Sequence, residues 1–183
     1  MSKLGQAIAF AATAHREQVR KYTGEPYILH PLEVLRFLPA EATQQMKIAA
    51  VLHDVVEDTP VTLEEIKGLF GWEVELYVDH LTDKFTKEAY PNWNRKVRKE
   101  AERNRLAQIN AHAQTVKYCD ILSNTQSLVD HDLDFARVYL DEMDKLLQVM
   151  TKGDEGTRAG AVYVVACAQE RVVQKALEKK PHV

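Results

Sequence analysis

One segment stands out for its chemistry: His53-Asp54-Val55-Val56-Glu57-Asp58. On a helix, residues four apart share a side, so Glu57 is expected near His53 and Asp58 near Asp54. The two valines then face elsewhere. The preceding run, Ile48-Ala49-Ala50-Val51-Leu52, is almost wholly apolar, so the helix turns acidic at a buried point. Burying these carboxylates and an imidazole without compensation would cost many kcal/mol, and a bound cation is the simplest compensation. The plain alternative is a helix end fraying into solvent, with Glu57 and Asp58 as ordinary surface acids. Two other stretches favour the cation. His30 precedes Pro31 in Tyr27-Ile28-Leu29-His30-Pro31, and Asp120 closes Thr115-Val116-Lys117-Tyr118-Cys119-Asp120, with Asn124 four residues on.

Helices must position these groups. Leu4, Ile8, Ala11, His15 and Val19 recur at steps of three and four, the stripe of an amphipathic helix, and Tyr22-Thr23-Gly24-Glu25-Pro26 breaks it. Pro31 suits the first turn of a short helix reaching about Leu38. A third helix is expected from Thr43 through His53 to about Glu57. Thr62-Leu63-Glu64-Glu65 has capping-box spacing and opens a helix stopping near Gly71; Trp72 to Leu81 reads as another. Residues 82–94 look irregular. A basic helix follows from Arg95 to about Ile109, then one from about Ala111 to Val129, then a stripe from Phe135 to Met150. Lys152 to Gly156 is a turn. Ala161 to Cys167, though rich in valine, reads as helix because its apolar spacing continues to Leu177. The fold class is therefore all-α: a single bundle of about eight or nine helices over 1–183, with a packing helix at about 157–178.

Composition narrows the function. Of 183 residues, 45% are hydrophobic and 28% charged, which suits a folded globular chain. Lys plus Arg total 24 against 27 Asp plus Glu, a net charge of −3, which speaks against a general nucleic-acid binder or a polybasic membrane anchor. No apolar run approaches the ~20 residues of a membrane span. Met1 to Gln6 runs into a helical pattern without a signal-peptide core, and the two cysteines, Cys119 and Cys167, form no CxxC pair. A cytoplasmic setting is expected.

Three segments together resemble the HD-domain hydrolases of the RelA/SpoT type, in particular the small single-domain alarmone hydrolases. They are Arg20 to Pro31, Ala49 to Thr59, and Val116 to Asp120 with Asn124. The resemblance covers about the first three quarters of the chain. It implies an HD-type helical bundle with His30, His53, Asp54 and Asp120 holding one divalent metal, usually manganese. It implies that Glu57 and Asp58 handle the attacking water, that Arg20 and Lys21 line a nucleotide and phosphate pocket, and that Asn124 and Tyr139 lie on the substrate side. Lys84, in Thr82-Asp83-Lys84, falls in a comparable family stretch. The implied reaction is hydrolysis of the 3′-pyrophosphate of guanosine tetra- or pentaphosphate, giving GDP or GTP and pyrophosphate. The synthetase domain of larger members has no room here. The donor set agrees with the metal: two imidazoles and two carboxylates suit a borderline or hard divalent ion and leave positions open for water and phosphate oxygen. A set without thiolate argues against structural zinc. Such an ion lowers the pKa of a bound water, and Glu57 or Asp58 could take a proton from that water or orient it.

The chain also departs from the family. Cys119 stands where alanine is usual and reads as a small buried hydrophobe. Ile121 replaces a common lysine, removing a charge that could contact phosphate or carboxylate. His15 is expected to be a satisfied interior histidine, and Arg16 is open between surface and pocket. Arg95, Lys96, Arg98, Lys99, Arg103 and Arg105, interleaved with Glu100 and Glu102, read as a solvated helix face; the alternative is a lid over a polyphosphate. Gly153, Gly156 and Gly160 follow no strand and make no phosphate loop. His80, His112, His131 and His182 have no evident partner. Rival functions are the same metal chemistry on another nucleotide (an adenosine alarmone or the 2′-phosphate of NADPH), a nucleotide-sensing or partner-neutralising module, and a purely structural protein.

Overall fold

The computed structural model describes residues 1–178, with the Ser127 side chain set aside; His182 lies outside the described residues. The helices are α1 (Lys3–Ala14), α2 (Leu29–Phe37), α3 (Gln44–Leu52), α4 (Val55–Asp58), α5 (Leu63–Phe70), α6 (Trp72–Leu81), α7 (Arg95–Leu106), α8 (Ala111–His131), α9 (Leu133–Val149) and α10 (Glu155–Glu178). Among the described residues these make nine helices if α3 and the single turn α4 are taken as one interrupted helix. Short polar side chains start many of them. Ser2, Thr43, Asn94, Asn110 and Asp132 each accept a backbone N–H from the first turn. Thr62 and Glu65 complete the capping box at α5. Ala161 to Cys167 lies inside α10, with Ala161 and Val165 turned to the core.

The long helix α8 is the spine. It packs against α2, α3, α6, α9 and α10, while α1 and α6 cover α3. Ile48 to Leu52 are at most 3% exposed. Fully burying such aliphatic side chains contributes roughly 1.5–3 kcal/mol each, which fixes α3 against α8. The turn between α9 and α10 locks the spine from the other side. Tyr118 donates to the Met150 carbonyl at 2.6 Å. Gly153 lies so close that a Cβ there would sit 2.5 Å from the Tyr118 ring and 2.9 Å from the Thr115 nitrogen. Only glycine fits this approach, so the turn serves packing and the register of α8. No helix of the described residues is long and apolar enough to cross a membrane.

Two helix boundaries differ from expectation. The first helix ends at Ala14 and does not continue to Val19. Beyond it the chain doubles back: Arg20 N–H bonds Glu25 O, Tyr27 N–H bonds Gln18 O, and Val19 bridges Pro26. Gly24, at φ 73°, makes the turn. Val19, 60% exposed, thus belongs to a loop wall instead of the core stripe. The third helix does not run through His53 to Glu57 either. It stops at Leu52, and α4 begins at Val55. His53 Nδ1 lies 2.9 Å from Ala50 O, the acceptor a continuous helix would offer to the Asp54 N–H. The side chain competes with the backbone and breaks the helix where the ionisable groups begin.

Candidate metal centre and cleft

The break turns His53 and Asp54 toward α2 and α8. His30, from the first turn of α2, and Asp120, from the middle of α8, meet them. His30 Nε2 lies 3.5 Å from Asp54 Oδ2 and 3.2 Å from Asp120 Oδ1. His53 Nε2 lies 3.0 Å and 3.7 Å from the same two oxygens. His30, His53 and Asp54 also meet the distance requirement for a shared ion.

The hydrogen bonds behind the site fix which nitrogen faces it. Ala50 O can only accept, so His53 Nδ1 carries a proton and Nε2 is the atom turned to the carboxylates, which raise the ring's pKa well above its usual value despite burial. Ser123 Oγ donates to Glu33 at 2.8 Å, so it accepts from His30 Nδ1 at 3.0 Å. His30 Nε2 is therefore also the atom turned to the carboxylates. His53 Nε2 is buried without a hydrogen-bond partner. Two imidazole nitrogens and two carboxylates converge there, an arrangement that calls for positive charge, which protons on the rings or a bound cation would supply. The residues present fit a divalent ion with nitrogen and oxygen ligands.

Two adjoining cavities of about 290 Å³ each meet at this cluster, sharing Tyr27, His30, Asn124, Phe135 and Tyr139 in their walls. The first also reaches Glu57, Asp58, Asp83 and Lys117, and its outer wall is Arg95, Lys99 and Arg103 of α7. The second reaches Arg20, Lys21, Tyr22 and Phe135. One cleft thus has an acidic floor and two cationic rims.

An HD-domain family profile matches residues 7–133. The chain belongs to the HD-domain family. Within it, the chain is 40% identical over 131 residues to the mouse guanosine-3′,5′-bis(diphosphate) 3′-pyrophosphohydrolase MESH1, covering 69% of this chain and 70% of that one. It is 37% identical over 131 residues to the Aquifex aeolicus enzyme of the same activity name, covering 69% of this chain but 18% of that one. The solved structure of a metazoan SpoT ortholog described as hydrolysing ppGpp superposes with a TM-score of 0.77 at 27% identity, over 97% of both chains. An HD domain implies divalent-metal binding, and this chain presents a cluster of His30, His53 and Asp54 that could hold an ion.

The electrostatics of the HD domain follow from crowding. Burial alone would raise the Asp54 carboxyl, but His53 and His30 bring it down to about 2. Asp120, equally buried, is held well below the usual range, chiefly by Lys117. Lys117 Nζ lies 2.8 Å from Asp120 Oδ2 and keeps its proton firmly despite burial, because Asp120 and Asp83 face it. Glu57 is different. Burial, then Asp83, pushes it up to about 7. Asp58 also rises, through burial and the Asp54 charge. Carboxylates of one cleft thus differ widely in how readily they hold a proton.

The cleft gathers most of the expected residues. Asn124 donates to Asp120 Oδ1 at 2.7 Å, so it steadies a carboxylate of the cluster as well as lining both lobes. Arg20 bonds Glu33 at 2.8 Å and so links the second lobe, through Ser123, to His30. Lys21 and half-buried Tyr139 line that lobe. Lys84 is not brought in: its ammonium is tied to Asp79 at 2.6 Å, outside the cavity walls. Arg16 is a surface charge paired with Glu17. His15 is buried as expected but only half satisfied: Nδ1 bonds Gln18 at 2.7 Å, and Nε2 has no partner. Gln18 in turn bonds the Asp58 carbonyl at 2.7 Å, so His15 supports the acidic turn. Cys119 is fully buried and its thiol is pushed up to about 12 by burial and Asp120, which makes it inert. Ile121 is buried in the core.

Sequence reasoning missed Lys117, Asp83 and Tyr27. Tyr27 donates to Asp54 Oδ2 at 2.6 Å. The signal for Lys117 was its place three residues before Asp120 on one helix, a spacing that lets a cation reach a carboxylate. Asp83 had no local signal, since its loop reaches Glu57 only through the fold.

Proposed function

We propose that the protein is a manganese-dependent hydrolase that removes the 3′-pyrophosphate of guanosine tetra- or pentaphosphate, releasing GDP or GTP. The observation that carries this reading is the acidic floor beside two cationic rims. It offers a cation site, a raised carboxylate and phosphate-binding charge within one cleft. His30, His53, Asp54 and Asp120 would hold the ion, whose chemistry when bound is to polarise a phosphoryl oxygen and acidify a water. Glu57, tuned near 7, accepts the proton of the attacking water, and Asp58 orients that water. Water adds at the phosphorus bonded to the ribose 3′ oxygen. That P–O bond breaks, the 3′ oxygen leaves with a proton, and pyrophosphate departs. Arg95, Lys99 and Arg103 meet the charge of the diphosphates, while Arg20, Lys21 and Tyr139 wall the nucleoside lobe. The setting is cytoplasmic, in keeping with two free cysteines.

Product analysis tests this. Purified protein with guanosine tetraphosphate and manganese is expected to release GDP and pyrophosphate, and a chelator is expected to stop both. Orthophosphate as the product moves the cleaved bond. Turnover only on adenosine alarmones or on NADPH reassigns the substrate. Tight nucleotide binding with no turnover on any of them makes the domain a sensor.

A further inference from the structure

Helix α7 is basic and largely exposed, yet Glu102 in its middle is 3% exposed. The cleft chemistry above gives Glu102 no task. Its partner is Arg105, one turn on, whose Nε lies 2.8 Å from Glu102 Oε1. The pair grips one loop from both polarities. Arg105 Nη2 donates to the carbonyls of His80 at 3.0 Å and Thr82 at 3.2 Å. Glu102 Oε2 accepts the N–H groups of Lys84 at 3.1 Å and Phe85 at 3.3 Å. Between these clamped peptides, the Asp83 N–H points the other way and donates to Glu57 Oε2 at 2.9 Å. The Asp83 carboxylate is itself held by Lys99, also on α7, at 2.8 Å.

We infer that Glu102 and Arg105 are positioning residues for the water-activating carboxylate: by clamping residues 80–85, they aim the Asp83 N–H at one oxygen of Glu57 and leave the other to the attacking water. The inference rests on the role given to Glu57 above. A carboxylate with one oxygen tied to a fixed backbone donor loses its freedom to rotate, and so holds a proton acceptor at one point of the cleft. The charged pair suits the task because its two ends satisfy donors and acceptors of the same loop. An apolar pair could bury α7 equally well but would leave those peptide groups unbonded. The clamp also couples the phosphate-facing side of α7 to Glu57, through Lys99 and Asp83.

The test compares Glu102→Ala, Glu102→Gln and Arg105→Lys, with Glu57→Gln as reference, using metal-loaded protein and guanosine tetraphosphate. Glu102→Ala is expected to lower kcat about 10- to 100-fold, the scale of a misplacement of about 1 Å. KM and manganese affinity are expected to stay within about twofold, because no ligand or phosphate contact is removed. The pH profile supplies a readout that loose packing would not move. Glu57 is faced by Asp54 from the α3–α4 break, Asp83 from the loop and Lys117 from α8, and the Asp83 N–H is what favours its charged form locally. Losing that donor moves the acid limb of the rate to higher pH. Glu102→Gln, which keeps one acceptor, recovers part of kcat and of the limb. Arg105→Lys shows the same signature more weakly, and decides the matter if Glu102→Ala does not fold. Unchanged kcat and pH profile in Glu102→Ala and Arg105→Lys overturn the inference, as does a loss shared equally by kcat, KM and metal affinity. Full turnover by Glu57→Gln overturns the role of Glu57 itself, which is a separate failure from that of the clamp.

Discussion

The floor of the cleft and its α7 wall are built on opposite principles. On the floor, His30, His53 and Asp120 are at most 5% exposed, and each is tied on the side away from the cleft or at its edge. On the wall, the side chains of Arg95, Lys99 and Arg103 are 45%, 36% and 27% exposed, and each is paired with an acid, Arg103 loosely at 4.0 Å. Breaking a buried pair by removing one partner costs roughly 3–5 kcal/mol. Exchanging an exposed one costs about 0–1 kcal/mol. The floor therefore stays fixed while the wall can trade its carboxylates for phosphate oxygens. A hydrolase of a highly charged substrate needs both: an immobile place for the ion and water, and cations that accept and release product.

The largest effect should come from the floor. Asp54→Ala is expected to abolish manganese binding and turnover together, seen by metal titration and product assay; full turnover would break the assignment. Next comes Lys117, the lysine beside the floor's Asp120. Lys117→Met leaves the buried Asp120 without its ion-pair partner and leaves Asp83 to Lys99 alone, and is expected to cost roughly 3–5 kcal/mol in denaturant unfolding. A third test uses pH in the metal-free protein. Glu57 lies near 7 in the folded chain, above its ordinary 4.5. Its contribution to stability is therefore fully present below about 4.5 and lost as pH rises through about 7. Because Glu57 is exposed and solvent screens its charge, unfolding measured across that window is expected to show a decline of no more than about 1 kcal/mol that Glu57→Gln removes. The wall should respond in binding alone. Arg95→Gln with Arg103→Gln is expected to raise KM for guanosine tetraphosphate about tenfold while shifting stability by less than about 1 kcal/mol. Smallest of all, Lys84→Gln is expected to leave KM within about twofold, since Asp79 and not the cleft holds that ammonium. A large KM change there would erase the distinction between wall and surface.

The local half of the protein was readable in order. The Thr62 capping box, the α6 and α8 spans and the valine-rich helix α10 follow from periodicity and short-range hydrogen bonding, which act within a few residues. The string from His53 to Asp58 announced an unusual acidity because its apolar lead-in is buried, while Glu57 and Asp58 themselves stay exposed to the cleft. Its geometry was not readable. A continuous helix was the reasonable expectation, and only the bond between His53 and the Ala50 carbonyl shows the break that turns the imidazole inward.

The amino-acid sequence by itself determined the all-α class, the family and the four residues that converge as the His–Asp cluster, because these rest on local spacing and on residue type. Tertiary structure alone decided the rest. It made Lys117 the buried counter-charge, took Lys84 out of the cleft, turned part of α7 from a solvated face into a wall, and brought the Asp83 N–H to Glu57. Each of these depends on which segment lies opposite, and a charge has no role until the fold chooses the partner that faces it and how much water stands between them.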